Sequence, residues 1–531
     1  MTLLRLGRAL GLALALAGAT ASAAAAPPDA PPLRIASAFD PQTMDPHALA
    51  LLYHTRVALQ VYESLVGRDA DFKLEPALAT RWTQLDPKTW RFELREGVRF
   101  HDGTSLTADD VVFSLQRALG PHSQRSFQLR GLAEVRRQGP LTVDLLLDAP
   151  DAVLPEKLQY VAIMSKAWCE QHGVQAAQDA NGRQETHAVR HANGTGPYRL
   201  LRYEPDVRAE LQRFDGWWGR ADPRNGNLAA LQFIVIKSDA TRLAALASGE
   251  VEMVLDPPFQ DIARLRRDPR VKLTQVAELG QQYFTFDQAR PVLESSDVRD
   301  RNPFKDLRVR QAVWHALDIP LIVDKVLHGQ AEPTGMFLSP LVDGSTAALD
   351  RPLRHDPARA RALLADAGYP QGFGITLDCV NTTWRQAVCQ AAASMLTRVG
   401  IRTTLRASAP TQFFPKITQA GASFLEFGWT ASPDAWLSLN GLFRSWTPSG
   451  GGTFNAGRYS NPALDRLIDA VRVEPDLGRR RAMVTQALEQ VAADLPYIPL
   501  YRRRLSWALV HDVDVVPWPN DVLELRWVRR R

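Results

Sequence analysis

The span FELREGVRFHDGTSLTADDVVFSLQRAL (92–119) gathers His101, Asp102, Thr104, Ser105, Thr107, Asp109, Asp110 and Ser114 within one short stretch. Imidazole, hydroxyl and carboxylate groups held together are the material of nucleophilic and acid–base catalysis. Their spacing assigns them other work. Trp90, Phe92 and Leu94 alternate with Arg91, Glu93 and Arg95, the period of a half-buried strand. Gly97 and the dipeptide Asp102-Gly103 are turn signals. Thr107 and Asp110 stand three apart ahead of an apolar run, the spacing of a capping box that satisfies backbone N–H groups at a helix start. Val111, Leu115 and Leu119 then fall on one helical face. Each polar side chain has a local structural task, so the span reads as scaffold.

His187 and His191, four apart, are the other pair with metal-ligand spacing. The segment HAVRHANGTG supplies no nearby third ligand, and the pair is expected at the surface. The chain has no H-E-x-x-H, G-x-S-x-G, G-x-x-x-x-G-K-[ST] or C-x-x-C. A secreted hydrolase is the reading from a different class, and the sequence gives it no nucleophile–base pair. No catalytic residue, cofactor or metal is expected. Of the three cysteines, either Cys379 and Cys389 pair in an exported chain and leave Cys169 odd, or all three are buried thiols.

The surrounding elements fit α/β architecture. Strand-like runs LRIASAF, ALQFIVIKS and VEMVLD alternate with helical segments at 241–248 and 356–367. Asp356-Pro357 opens the second of these and Gly368 closes it, the usual asymmetry of helix ends. Pro- and Gly-rich stretches at 26–32, 139–155 and 219–227 mark loops or linkers. Arg5 and Arg8, an apolar run over 9–19 and Ala21-Ser22-Ala23 have the pattern of a secretory signal, cleaved between Ala23 and Pro27. The run is shorter than the roughly 18–20 residues that span a bilayer, and no cysteine stands there to carry a lipid. A soluble, exported chain follows. With 63 basic against 58 acidic residues and no basic run interleaved with aromatics, the composition argues against nucleic acid as a partner.

The stretch LEPALATRWTQLDPKTWRFELREGVRFHDGTSLTADDVVFSLQRAL resembles the signature region of the extracytoplasmic solute-binding proteins that serve ABC importers of peptides and nickel. MDPH with VYESLVGRD, GTGPYRL (194–200), PFKDLRVRQAVWHALD (303–318), HDPARARALLADAGYPQGFGITL (355–377) and NAGRYSNPALDRLIDAVR (455–472) match that family in order. The resemblance implies a two-lobed, type II clamshell in its large form. Lobe I would comprise 33–66, 194–282 and 500–531, with an inserted subdomain at 67–193, and lobe II would comprise 283–499. The chain would cross between lobes near 280–284 and 495–501, and ligand would sit between lobes that close about a hinge. It further implies a likeness to periplasmic, monomeric proteins that hand a short peptide to membrane permease subunits. A nickel chelate, a haem-like compound or a modified amino acid is the alternative solute. Phe39 and Asp40, Phe127, and Glu426, Gly428, Trp429 and Thr430 fall on the family's cleft positions. Peptide-binding members carry an Asp where this chain has Ser432; Asp434 aligns with a later element of that loop, and its structural alternative is a capping carboxylate.

Overall fold

In the computed structural model, which describes residues 31–531 other than Asn181, Arg183, Pro433, Ser449 and Gly450, the 92–119 span is scaffold. The expected leader, 1–26, lies outside the described residues. Trp90, Phe92 and Leu94 are the buried side of the strand Thr89–Leu94. That strand lies between Ala79–Asp86 and Thr142–Leu147 in a four-stranded sheet completed by Leu132–Gly139. The helix Ala108–Leu119 begins as its spacing predicts, with the Thr107 N–H and hydroxyl both donating to the Asp110 carboxylate at 2.9 Å. Val111 and Leu115 are fully buried, whereas Leu119 is exposed on the last turn.

His101 fastens this sheet-and-helix body to the GTGPY loop. Its Nε2–H donates to Gly196 O at 3.0 Å and its Nδ1 accepts from the Gly194 N–H at 3.3 Å. Gly194 is required by close approach, because a Cβ there would stand 2.0 Å from Val61 O. Burial pulls the His101 pKa down to about 4. A histidine kept neutral in the fold contributes stability that is complete above its unfolded pKa near 6.5 and is lost as pH falls toward 4. Between pH 7.5 and pH 4.5, the stability gap between wild type and His101→Asn is therefore expected to shrink by about 2–3 kcal/mol. Urea unfolding at the two pH values measures it; a constant gap would show an imidazole that titrates normally.

The rest of the chain is organised on a twelve-stranded sheet. Its order is Ile401–Ser408, Phe373–Val380, Phe424–Trp429, Gln281–Phe286, Tyr497–Val510, Met253–Leu255, Leu33–Ser37, Ala230–Val235, Arg208–Arg213 and Tyr198–Glu204. Val271–Ala277 and Ala331–Pro333 also pair with the long strand Tyr497–Val510. That strand joins the two lobes. Its first residues, from Tyr497 to Tyr501, pair with Gln281–Phe286. Its later residues, from Arg504 to Val510, pair with Val271–Ala277. These two stretches of sheet are linked by the chain at 278–280 and, within the long strand, at 501–504. The two links are tied together by Arg503, which donates to both oxygens of buried Glu278 at 2.8 and 2.6 Å. Each body keeps its own core: Leu33, Phe233 and Trp507 in lobe I, Phe92, Phe100 and Leu145 in the inserted body, and Phe284, Phe304 and Phe424 in lobe II.

Cys379 and Cys389 form a disulfide, and Cys169 is a buried free thiol. Among the described residues no helix is long and apolar enough to cross a membrane.

Candidate functional site

The lobes meet on both sides of the hinge. On one flank Phe259 of lobe I faces Trp384 of lobe II, ring centroids 5.9 Å apart. On the other, the Ala152 N–H donates to Arg472 O at 2.9 Å, and the buried Asp151 carboxylate accepts from Lys157 and from Arg472 Nη2. Trp436 packs against both cations there, at 5.0 and 5.4 Å.

The strand Phe424–Trp429 belongs to the twelve-stranded sheet. It pairs along its length with Gln281–Phe286. On its other edge it meets Phe373–Val380 only at Leu425. From Glu426 onward that second edge carries no strand partner among the described residues. An open edge presents alternating N–H and C=O groups and is a template for an added extended chain.

Alternation along the strand puts Glu426, Gly428 and Thr430 on one face and Trp429 on the other. Cross-strand register brings Gln282 beside Gly428, and Tyr501 pairs with Gln282 in turn. Gly428 makes room for the Gln282 amide, since a Cβ there would lie 2.4 Å from Gln282 Oε1. On this face three polar atoms are buried without a partner: Gln282 Oε1, Tyr501 Oη and Arg385 Nη2. Buried polar atoms are almost always satisfied, so these three call for partners from solvent or from another molecule.

The carboxylates expected here are already engaged. Glu426 is fully buried and both its oxygens accept from Arg385 Nε, at 3.1 and 2.8 Å. Burial raises its pKa and the Arg385 charge opposes that rise. Asp434 pairs with Arg480 Nη2 at 2.8 Å and caps the Trp436 N–H at 2.8 Å, while burial pushes its pKa up to about 6. Asp40 accepts from the Tyr203 hydroxyl and from the Asp206 N–H. Ser432 donates to Asp434 O at 2.8 Å, a local loop bond. Trp429 is half-buried, held by its Nε1–H on Ser438 Oγ at 2.9 Å and packed on Phe454; Thr430 is exposed. Phe39, 55% exposed, stacks on Tyr53 in lobe I, and Phe127, 51% exposed, stands on the inserted body.

Arg385 was not singled out by the sequence. It lies at the start of the helix Thr383–Arg398, one turn before Cys389, and the disulfide ties that helix to the end of the strand Phe373–Val380. Removing the crosslink with Cys379→Ser and Cys389→Ser is expected to cost about 2–3 kcal/mol, the entropy of a closed loop of roughly ten residues. Thermal melts with and without reductant read it; a wild type indifferent to reductant would show a crosslink without stabilising effect.

Metal binding finds no support in these groups. Cys379, Cys389 and Glu426 cluster closely, but the two sulfurs are bonded to each other and offer no thiolate. His187 and His191 do gain a third histidine, His172. The three rings stack face to face at 4.1 and 3.9 Å instead of aiming nitrogens at a shared point.

The glutathione-binding protein GsiB of Shigella dysenteriae serotype 1 is 28% identical over 477 residues, covering 87% of each chain. Among solved structures, the Helicobacter pylori ABC transporter-associated periplasmic binding protein DppA, in complex with peptide STSA, superposes with a TM-score of 0.77 at 22% identity over 94% of this chain and 98% of that one. Campylobacter jejuni NikZ, in complex with Ni(L-His), superposes at 0.74 with 20% identity over 91% and 94%. These likenesses place the fold among two-lobed type II binding proteins, the clamshell that the resemblance implied. The model of the bacterial extracellular solute-binding proteins, family 5, matches residues 73–450, and the chain belongs to that family.

Proposed function

We propose that the protein captures a short peptide between its lobes and delivers it to the membrane permease of an ABC importer, acting as an exported monomer without catalysis. The observation that supports peptide over other solutes is the open edge of Phe424–Trp429, beginning at Glu426. An extended peptide completes that edge through backbone hydrogen bonds that any sequence can make. A ligand touching both lobes favours the closed state by its differential affinity. The likeness to GsiB makes glutathione the first peptide to try.

Mass spectrometry of the protein released from its native host under non-denaturing conditions is expected to find a peptide bound. Thermal melts with glutathione and with pooled tripeptides are expected to show stabilisation of about 2.7 kcal/mol at a hundredfold excess over Kd, with the peptide recovered unchanged. A co-purified solute without peptide bonds, together with no stabilisation by any of these peptides, would overturn the reading. Recovery of cleaved peptide would favour the hydrolase.

A further inference from the structure

We propose that Arg125 is the anchor for a carboxylate of the solute, an anion site in the wall of lobe I; this rests on the solute-binding reading above.

Among the described residues seven arginines are buried: Arg56, Arg68, Arg117, Arg125, Arg242, Arg310 and Arg502. Five are neutralised by carboxylates: Arg56 by Asp256 and Asp521, Arg68 by Glu156, Arg117 by Asp45, Arg242 by Asp239 and Arg502 by Asp350. Arg310 is ringed by the carbonyls of Phe304, Lys305, Asp494 and Leu495. Arg125 has neither. It is 5% exposed, its Nη2 donates to Thr55 Oγ1 at 2.8 Å, and its Nε is buried without a partner. Burial lowers its pKa to about 10, which leaves it charged at neutral pH.

The surroundings suit an incoming anion. His54, beside Thr55 on the helix Leu52–Val61, is fully buried against the backbone of Asp45 and Leu49. Burial and the Arg125 charge hold it neutral, with a pKa near 3. It brings no competing negative charge. Tyr160 borders Arg125, and its hydroxyl accepts from Asn520 Nδ2 at 2.6 Å. The chain at Asn520 reaches the hinge one residue earlier, where Pro519 O accepts from the Leu279 N–H at 2.8 Å. Phe127 follows two residues after Arg125 and is exposed. A buried cation without a counter-ion is costly to fold. A guanidinium with free donors meets a carboxylate in strong, charge-assisted geometry. A peptide carries a carboxylate.

The test uses the intact mature protein, as wild type and as Arg125→Gln, with glutathione and its diethyl ester as calorimetric probes. Esterification is expected to weaken binding to wild type by about tenfold or more. The substitution should weaken glutathione similarly and leave the ester almost unaffected, because both changes remove one contact. Equal binding of acid and ester to wild type would overturn the proposal. If wild type binds neither glutathione nor tripeptides, the peptide reading fails, and succinate and citrate decide the anion site. Either anion must raise the melting temperature of wild type and not of Arg125→Gln; no rise in wild type, or an equal rise in both, overturns it. Without ligand, Arg125→Gln is expected to melt no lower than wild type. A clear fall would assign Arg125 a structural role instead.

Discussion

Arg117→Met is expected to destabilise the protein by roughly 3–5 kcal/mol, the range for removing one partner of a buried ion pair. The side chains of Arg117 and Asp45 are both wholly inaccessible to solvent. Two parallel bonds join them, Nη1 to Oδ1 at 2.8 Å and Nη2 to Oδ2 at 2.7 Å. The remaining donors of Arg117 reach Val174 O, Ala176 O and His47 Nδ1, and Asp45 also accepts from the Gln178 N–H. The pair clamps the helix of the inserted body onto the loop that follows the first strand. Without Arg117 the Asp45 charge stays buried and unpaired. Adding Asp45→Leu should recover part of the loss, since the second change removes the stranded charge. The Arg117 charge, acting against burial, holds the Asp45 pKa at about 2. A carboxylate whose folded pKa is depressed contributes stability that is present above its unfolded value near 3.9 and is lost as pH falls through the folded one. Wild type should therefore lose this contribution between about pH 4 and pH 2, and the double variant should not. Urea unfolding across that range reads both effects; an additive double variant would show that the two residues do not act as a pair.

This clamp also shows how much was legible beforehand. Asp45 lies in the MDPH segment and Arg117 in the SLQRAL segment, both quoted as family matches, and both prove to be packing residues. Helix caps were readable because they are local: Thr107 meets Asp110 three residues on, and Asp356 caps the helix Pro357–Asp366 through the Arg359 N–H. Local spacing says nothing about partners brought in by the tertiary fold. Glu426 shares a strand face with Gly428, as alternation suggests, yet its carboxylate is taken by Arg385, 41 positions away on a helix held by the disulfide. Asp434 is likewise held by Arg480, from the start of the helix Leu477–Asp494. Arg125 sits two residues before Phe127, which the resemblance picked out. Nothing in the sequence distinguishes an arginine with a counter-ion from one without.

The same pairing sets the expectation for Glu426→Gln, a loss of about 2–4 kcal/mol in stability with no change in how the protein treats a peptide amine. Glutamine keeps the shape but not the charge, so the largely buried Arg385 side chain would be left with a neutral acceptor and one donor still unpaired. An α-ammonium entering the cleft needs a carboxylate, because taking it out of water alone is costly. Glu426, Asp434 and Asp40 are all bonded within the protein, to Arg385, to Arg480 and to Tyr203 with the Asp206 N–H. The amine of a bound peptide is therefore expected to stay hydrated at the cleft mouth. N-acetylating a tripeptide that binds should weaken it by less than about threefold, under 0.7 kcal/mol, in wild type, Glu426→Gln and Asp434→Asn alike. Calorimetry on the free and acetylated peptides, beside urea melts of each variant, separates the outcomes. If Glu426→Gln kept its stability and lost about tenfold in affinity for the free peptide alone, the carboxylate would serve the ligand, and Arg385 would be its resting partner in the empty cleft.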